Sequence, residues 1–253
     1  MKAIYRDIVL SSYLSFGIFA VTTEPAHAHT LFDAGTITEG KAYNQNLVIG
    51  HGCDNRAVIG ISVVVPDGSD SIITFADGTP AGAVEDHIFW NGSNVKQWQN
   101  RAVFTDQAQK HEPTLGGIVG FWAGGGPGMA PDFNAQAPVK IVGTPFNSDS
   151  CTTRAKIHVA AADICEITRI ENFSNASVGL WVPAVGSKYD GPGLHGFDSP
   201  PTFIIQRDLE NNPLPETCQN PEGGVEVHLK PSAAQIDRDM PIISSGVQVW
   251  PLP

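Results

Sequence analysis

The sequence predicts an all-β fold, a β-sandwich with long Gly/Pro-rich loops. Three observations point to it. The 253 residues include 26 glycines and 19 prolines. Long helical periodicity is hard to find. Short segments that alternate apolar and polar residues recur between Gly, Pro, Asn and Asp turns.

Taken in order, residues 56–68 (RAVIGISVVVPDG) set Ile59, Ile61, Val63 and Val65 on one face, and Pro66-Asp67-Gly68 supplies the turn. Residues 84–90 (VEDHIFW) alternate Ile88 and Trp90 against His87 and Phe89 and read as a strand. AKIHVAA (155–161), SVGLWVPAV (177–185), TFIIQRDL (202–209), GVEVHLK (224–230) and GVQVW (246–250) read as further strands. Residues 116–131 (GGIVGFWAGGGPGMAP) are too Gly-rich for a helix and read as an apolar loop. Their GxGxxG-like spacing lacks a following lysine and a βαβ setting, which excludes nucleotide binding. Residues 190–201 and 210–224 are loops of the same kind. No internal repeat and no linker divides the chain. The expected organisation is a signal peptide over 1–28, then one sandwich domain over 29–253 with a C-terminal extension.

The first residues fit an export signal. Lys2 and Arg6 precede the apolar run 8–21, and Pro25 breaks any helix. Ala26-His27-Ala28 presents small residues where a signal peptidase reads, so the expected cut lies between Ala28 and His29. Cutting after Ala26 would put Glu24 at a position that wants a small residue. The expected mature chain is periplasmic or secreted to the cell surface, with no membrane insertion after cleavage. The formal charge of −11 has no basic cluster to offset it, which argues against nucleic acid and mildly favours cations. Cys53, Cys151, Cys165 and Cys218, an even number in an exported chain, suggest two disulfides, and spacing does not choose among the three pairings.

An N-terminal histidine has unusual chemistry. The amine and ring Nδ1 of His29 can chelate one metal, and amine plus imidazole suits Cu(II). His51, in Ile49-Gly50-His51-Gly52-Cys53-Asp54, ends a strand before a turn that Cys53 would anchor, so it makes a preorganised ligand. His87, His158 and His228 sit mid-strand. His111 and His195 are loop residues with no assigned partner, and replacing His195 is expected to do little. No G-x-S-x-G elbow is present, and Glu85-Asp86 point to opposite faces, so hydrolase and glycosidase chemistry are unsupported and the chain reads as a non-enzyme.

The pieces His29-Thr30-Leu31, Gly40-Lys41-Ala42-Tyr43, His51-Gly52-Cys53-Asp54 and residues 63–68, with Trp90 before a Gly/Ser/Asn turn, are similar in order to the YcnI-like family of exported bacterial copper-binding domains. The resemblance covers residues 29–105. It implies an immunoglobulin-like sandwich holding one copper ion at the N-terminal histidine, a carboxylate completing the plane, and a tryptophan near the metal after the second core cysteine. Glu39 is the nearest acid to the Gly40 element. The segment after Cys151 carries His158 where the tryptophan would stand, so the implied ligands are His29, His51 and His158. By the family pattern Cys53 pairs with Cys151, and by elimination Cys165 with Cys218. The implied function is copper acquisition, storage or delivery, exchanging the ion with a membrane copper transporter or copper chaperone. Two other readings compete: a copper-dependent polysaccharide monooxygenase using Trp122 or Trp181 as a flat platform, and a metal-free structural sandwich.

Overall fold

A computed structural model describes residues 29–218 and 224–253. The export signal expected over 1–28 lies outside the described residues. Three β-sheets enclose one apolar core, and a short helix and hairpin cover the far side of one of them. The first sheet runs β1 (Leu31–Phe32), β3 (Ala42–Ile49), β9 (Ala135–Val142), β6 (Val95–Gln97), all antiparallel. The second runs β2 (Thr36–Thr38), β13 (Thr202–Gln206), β10 (Thr152–His158), β14 (Val225–Pro231), β5 (Ser71–Phe75). In it the β13–β2 and β10–β14 pairs are parallel. The third runs β12 (Val178–Trp181), β11 (Ala160–Ile164), β4 (Val58–Val64), β8 (Ile118–Met129), β7 (Asp106–His111). The expected all-β sandwich is present.

The period-2 pattern explains how the sheets pack. On β4, Ile61 and Val63 enter the main core with Leu47, Val139, Ile157 and Phe203. Val64 faces the other way, into a second cluster with Ala162, Leu180, Ile236, Met240 and Trp250. Helix α1 (Ala233–Asp239) and the hairpin β15 (Ile242–Ser244) and β16 (Val247–Trp250) supply that outer layer. Ser232 caps the helix by accepting from the Gln235 amide. Lys110 ties its other end to the sheet, donating to Ser62 Oγ at 2.6 Å and to the Asp239 and Met240 carbonyls at 2.6 and 3.2 Å. Burial pushes the Lys110 ammonium down to about 7.

β10 and β11 are nearly one strand. The bend at Val159, whose amide donates to the Pro201 carbonyl, carries the chain from the second sheet to the third. His158 ends one strand and Asp163 sits on the next.

Two expected elements differ. Residues 84–90 are not a strand: Val84–Asp86 form a 3-10 turn, and only an isolated bridge joins Ile88 to Phe146. Alternation over so few residues is also compatible with a turn that buries Ile88 and Trp90. Trp90 spends its indole N–H on the Pro66 carbonyl at 2.8 Å, a packing role. The segment 116–131 is not a loop but holds the longest strand, β8, paired on both sides by β4 and β7. Neighbouring strands supply what its glycines lack in propensity, because their backbones lie against it.

The disulfides join Cys53 to Cys165 and Cys151 to Cys218, with Cα–Cα distances of 6.0 and 5.4 Å. This overturns the expected Cys53–Cys151 and Cys165–Cys218 pairing. Cys165 follows β11, which pairs with β4, and that strand follows the Cys53 turn; Cys151 opens β10 in the second sheet, near the end of the 210–218 loop. Two disulfides fit an oxidising, extracytoplasmic compartment. Among the described residues no helix is long and apolar enough to cross a membrane.

Candidate functional site

The turn after β3 is built by its own residues. Asp54 and Asn55 both have positive φ, 41° and 68°, and the Cys53 and Arg56 backbones bond each other at 3.2 and 2.8 Å. This is a two-residue turn of the kind Asp and Asn tolerate. Gly52 is required by close approach, since a Cβ there would stand 2.0 Å from the Arg56 carbonyl oxygen and 2.8 Å from the Pro131 Cα. The turn is then closed to β11 by the Cys53–Cys165 bond. His51 projects from this braced segment.

His195 arrives from the 190–201 loop, which closes over the free edge of β12. The Leu180 amide donates to the His195 carbonyl at 2.8 Å, and the His195 amide donates to Asn175 Oδ1 at 2.7 Å. Gly196, at φ +90°, permits the turn, and a Cβ there would meet the Leu180 carbonyl and the Trp181 ring at 2.8 Å. His51 Nε2 and His195 Nε2 therefore stand 3.0 Å apart, with ring centroids at 4.9 Å.

Trp181 forms the shared wall. Its ring centroid lies 4.9 Å from that of His195, 5.2 Å from His29 and 6.3 Å from His51. Below it lies Asp163, 3% exposed. One oxygen, Oδ2, accepts both Thr30 Oγ1 and Trp181 Nε1 at 2.5 Å, while buried Oδ1 has no partner among the described residues. Burial lifts the Asp163 carboxyl to about 6 against the lowering effect of those two bonds and of nearby His51. His51, Cys53, Asp163, Asn175, Trp181 and His195 line one cavity of about 330 Å³.

The expected residues thus fare differently. His29 and His51 meet around Trp181. His158 does not join them: it sits on the outer face of the second sheet, its ring 5.1 Å from His228. Alternation explains this, because Ala155 and Ile157 occupy the core face of β10 and turn His158 away from it. Its two ring nitrogens are buried without partners among the described residues, and burial, with Lys230, His228 and Lys156 nearby, lowers it to about 3. Glu39 is committed elsewhere, accepting from the Phe146 and Asp208 amides at 2.8 and 2.7 Å. The acid beside the histidines is Asp163. Cys53 pairs with Cys165, and Trp181 is the next tryptophan after Cys165 along the chain. His195 was missed because a lone histidine in a Gly/Pro loop carries no local signal. At 1% exposure Trp181 offers no surface platform, and Trp122 packs against the second core cluster.

Among the described residues no group of three or more His, Cys, Asp or Glu side chains is gathered closely enough to hold a metal ion as it stands. What is assembled is a pair of imidazoles, with a third, that of His29, 5.2 Å from the same indole.

No known family and no curated protein matches the chain. A solved, uncharacterized protein from Nocardia farcinica described as having an immunoglobulin-like fold is 12% identical and aligns over 70% of this chain and 96% of its own, with a TM-score of 0.40. Likeness of that degree carries no argument about the site.

Proposed function

We propose that this is an extracytoplasmic copper-binding protein serving acquisition, storage or delivery, with His51, His195 and the mature N-terminal His29 as its nitrogen donors. One observation carries the reading: the 3.0 Å between His51 Nε2 and His195 Nε2. Two imidazole nitrogens bound to one metal at roughly 2.0–2.1 Å stand about 2.9 Å apart at a right angle and about 3.4 Å at a tetrahedral one. In the metal-free protein the same distance suits one N–H···N bond, which a metal replaces by displacing the shared proton.

The remaining features agree. The pair is held by a disulfide-braced turn and by a loop pinned to β12, so little ordering is needed on binding. Imidazole and amine nitrogens suit copper, and the acidic chain favours cations. Asp163 supplies a carboxylate at the cavity floor. The buried Trp181 weighs against the competing polysaccharide-oxidase reading, because it cannot serve as the flat aromatic platform that reading needs.

The test is a competition titration against a copper chelator with the chain beginning at His29. Wild-type affinity in both His51→Ala and His195→Ala would sink the reading.

A further inference from the structure

Resting on the copper reading, we infer that Asp163 is the positioning residue of the pocket: through Thr30 it latches the mature N-terminus against Trp181. Strand β1 pairs with β3 only at Leu31 and Phe32. His29 lies beyond that ladder, where a chain terminus ordinarily frays. In extended chain alternate side chains share a face, and here Thr30 and Phe32 are buried, at 1% and 5%, while Leu31 is 44% exposed. Thr30 is therefore the last inward-facing anchor before His29.

Its hydroxyl is placed for that task. Thr30 Oγ1 donates to Asp163 Oδ2 at 2.5 Å, and the same oxygen takes the Trp181 indole N–H at 2.5 Å. One carboxylate oxygen thus ties residue 30 to the indole against which the His29 ring lies at 5.2 Å. Trp181 faces Ala161 across the β11–β12 ladder, and Asp163 faces Gly179, so both side chains of the latch come from one rigid strand pair. The hydrogen bond does not touch the metal. It raises the effective concentration of the His29 nitrogens at the His51–His195 pair. The sequence pattern is His-Thr at the mature terminus with an inward Asp two residues before the partner cysteine.

The experiment uses protein beginning at His29 and the Thr30→Val, Thr30→Ser, Asp163→Asn, His51→Ala and His195→Ala variants. Each is titrated with Cu(II) against a chelator, Cu(II)-loaded samples are read by electron paramagnetic resonance, and metal-free samples are read by NMR for the ring-to-ring contact of His29 with Trp181. Thr30→Val is expected to lose that contact without metal, to bind Cu(II) at least ~10-fold more weakly, and to show fewer coupled nitrogens. Thr30→Ser restores all three readouts. Asp163→Asn, whose amide oxygen can accept the same two bonds, keeps the contact. Thr30→Val with the contact and wild-type affinity overturns the latch, as does loss of the contact in Thr30→Ser. If Thr30→Val behaves as wild type while His51→Ala and His195→Ala lose copper, the latch alone fails. If those two also bind as wild type, the copper reading fails with it.

Discussion

His51 and His195, 144 residues apart in the chain, face each other across 3.0 Å between their Nε2 atoms. A β3 turn and a loop over β12 make that meeting possible, and each is braced on its own side. In the hydrogen bond between them one ring donates its Nε2 proton and the other accepts with an Nε2 lone pair, the same lone pair a metal would take.

His51→Ala and His195→Ala should each weaken copper binding at least ~10-fold, equivalent to ~1.4 kcal/mol. His158→Ala should leave it unchanged, since His158 packs with His228 on another sheet. A chelator competition decides, and the reverse order of effects would return His158 to the site.

Keeping one residue before His29 should cost at least ~10-fold in affinity even though every imidazole survives. The extension turns the chelating amine into an amide, a poor donor, and removes the advantage the first bond gives the second. Equal affinities for the authentic and extended termini would leave His51 and His195 as the whole donor set.

Peptide mapping without reductant should recover Cys53 linked to Cys165 and Cys151 linked to Cys218. The Cys53–Cys165 bond spans 112 residues. Replacing both cysteines by alanine should remove roughly 4–5 kcal/mol of stability on the chain-entropy account, and should weaken copper binding because His51 sits two residues from Cys53. A fully stable variant with unchanged copper affinity would show that the turn needs no brace.

Stability should respond to pH through two buried groups of opposite sign. His158 falls from 6.5 to about 3, so the unfolded chain takes up a proton that the native state refuses. Its contribution is complete above pH 6.5 and is lost as pH falls toward 3. Asp163 rises from 3.8 to about 6, so the native state keeps a proton that the unfolded chain has released. Its carboxyl favours the fold below about pH 4 and loses that benefit as pH rises through 6. Asp163→Asn, which removes the second effect, should make Tm fall more steeply between pH 6 and 4 than in wild type. His158→Gln should flatten the same limb. Parallel Tm curves for all three proteins would refute the assignment.

Much of the fold was legible because alternation is local. Ile61 and Val63 against Val64 announce β4 without knowledge of its partners, and the strands at 202–206, 225–231 and 247–250 declare themselves likewise. The Gly-rich segment 118–129 was not legible, because only flanking strands make it β. Helix α1, seven residues long, was too short for a periodic signal.

What the sequence determined by itself was therefore whatever needs only near neighbours: an all-β composition, an even set of cysteines and a turn that presents His51. The tertiary structure alone decided which cysteines bond, that His195 rather than His158 meets His51, and that Asp163 rather than Glu39 underlies the site. The physical reason is that these contacts join residues 67 to 144 positions apart. Such contacts depend on sheet order and register, which neither alternation nor spacing encodes.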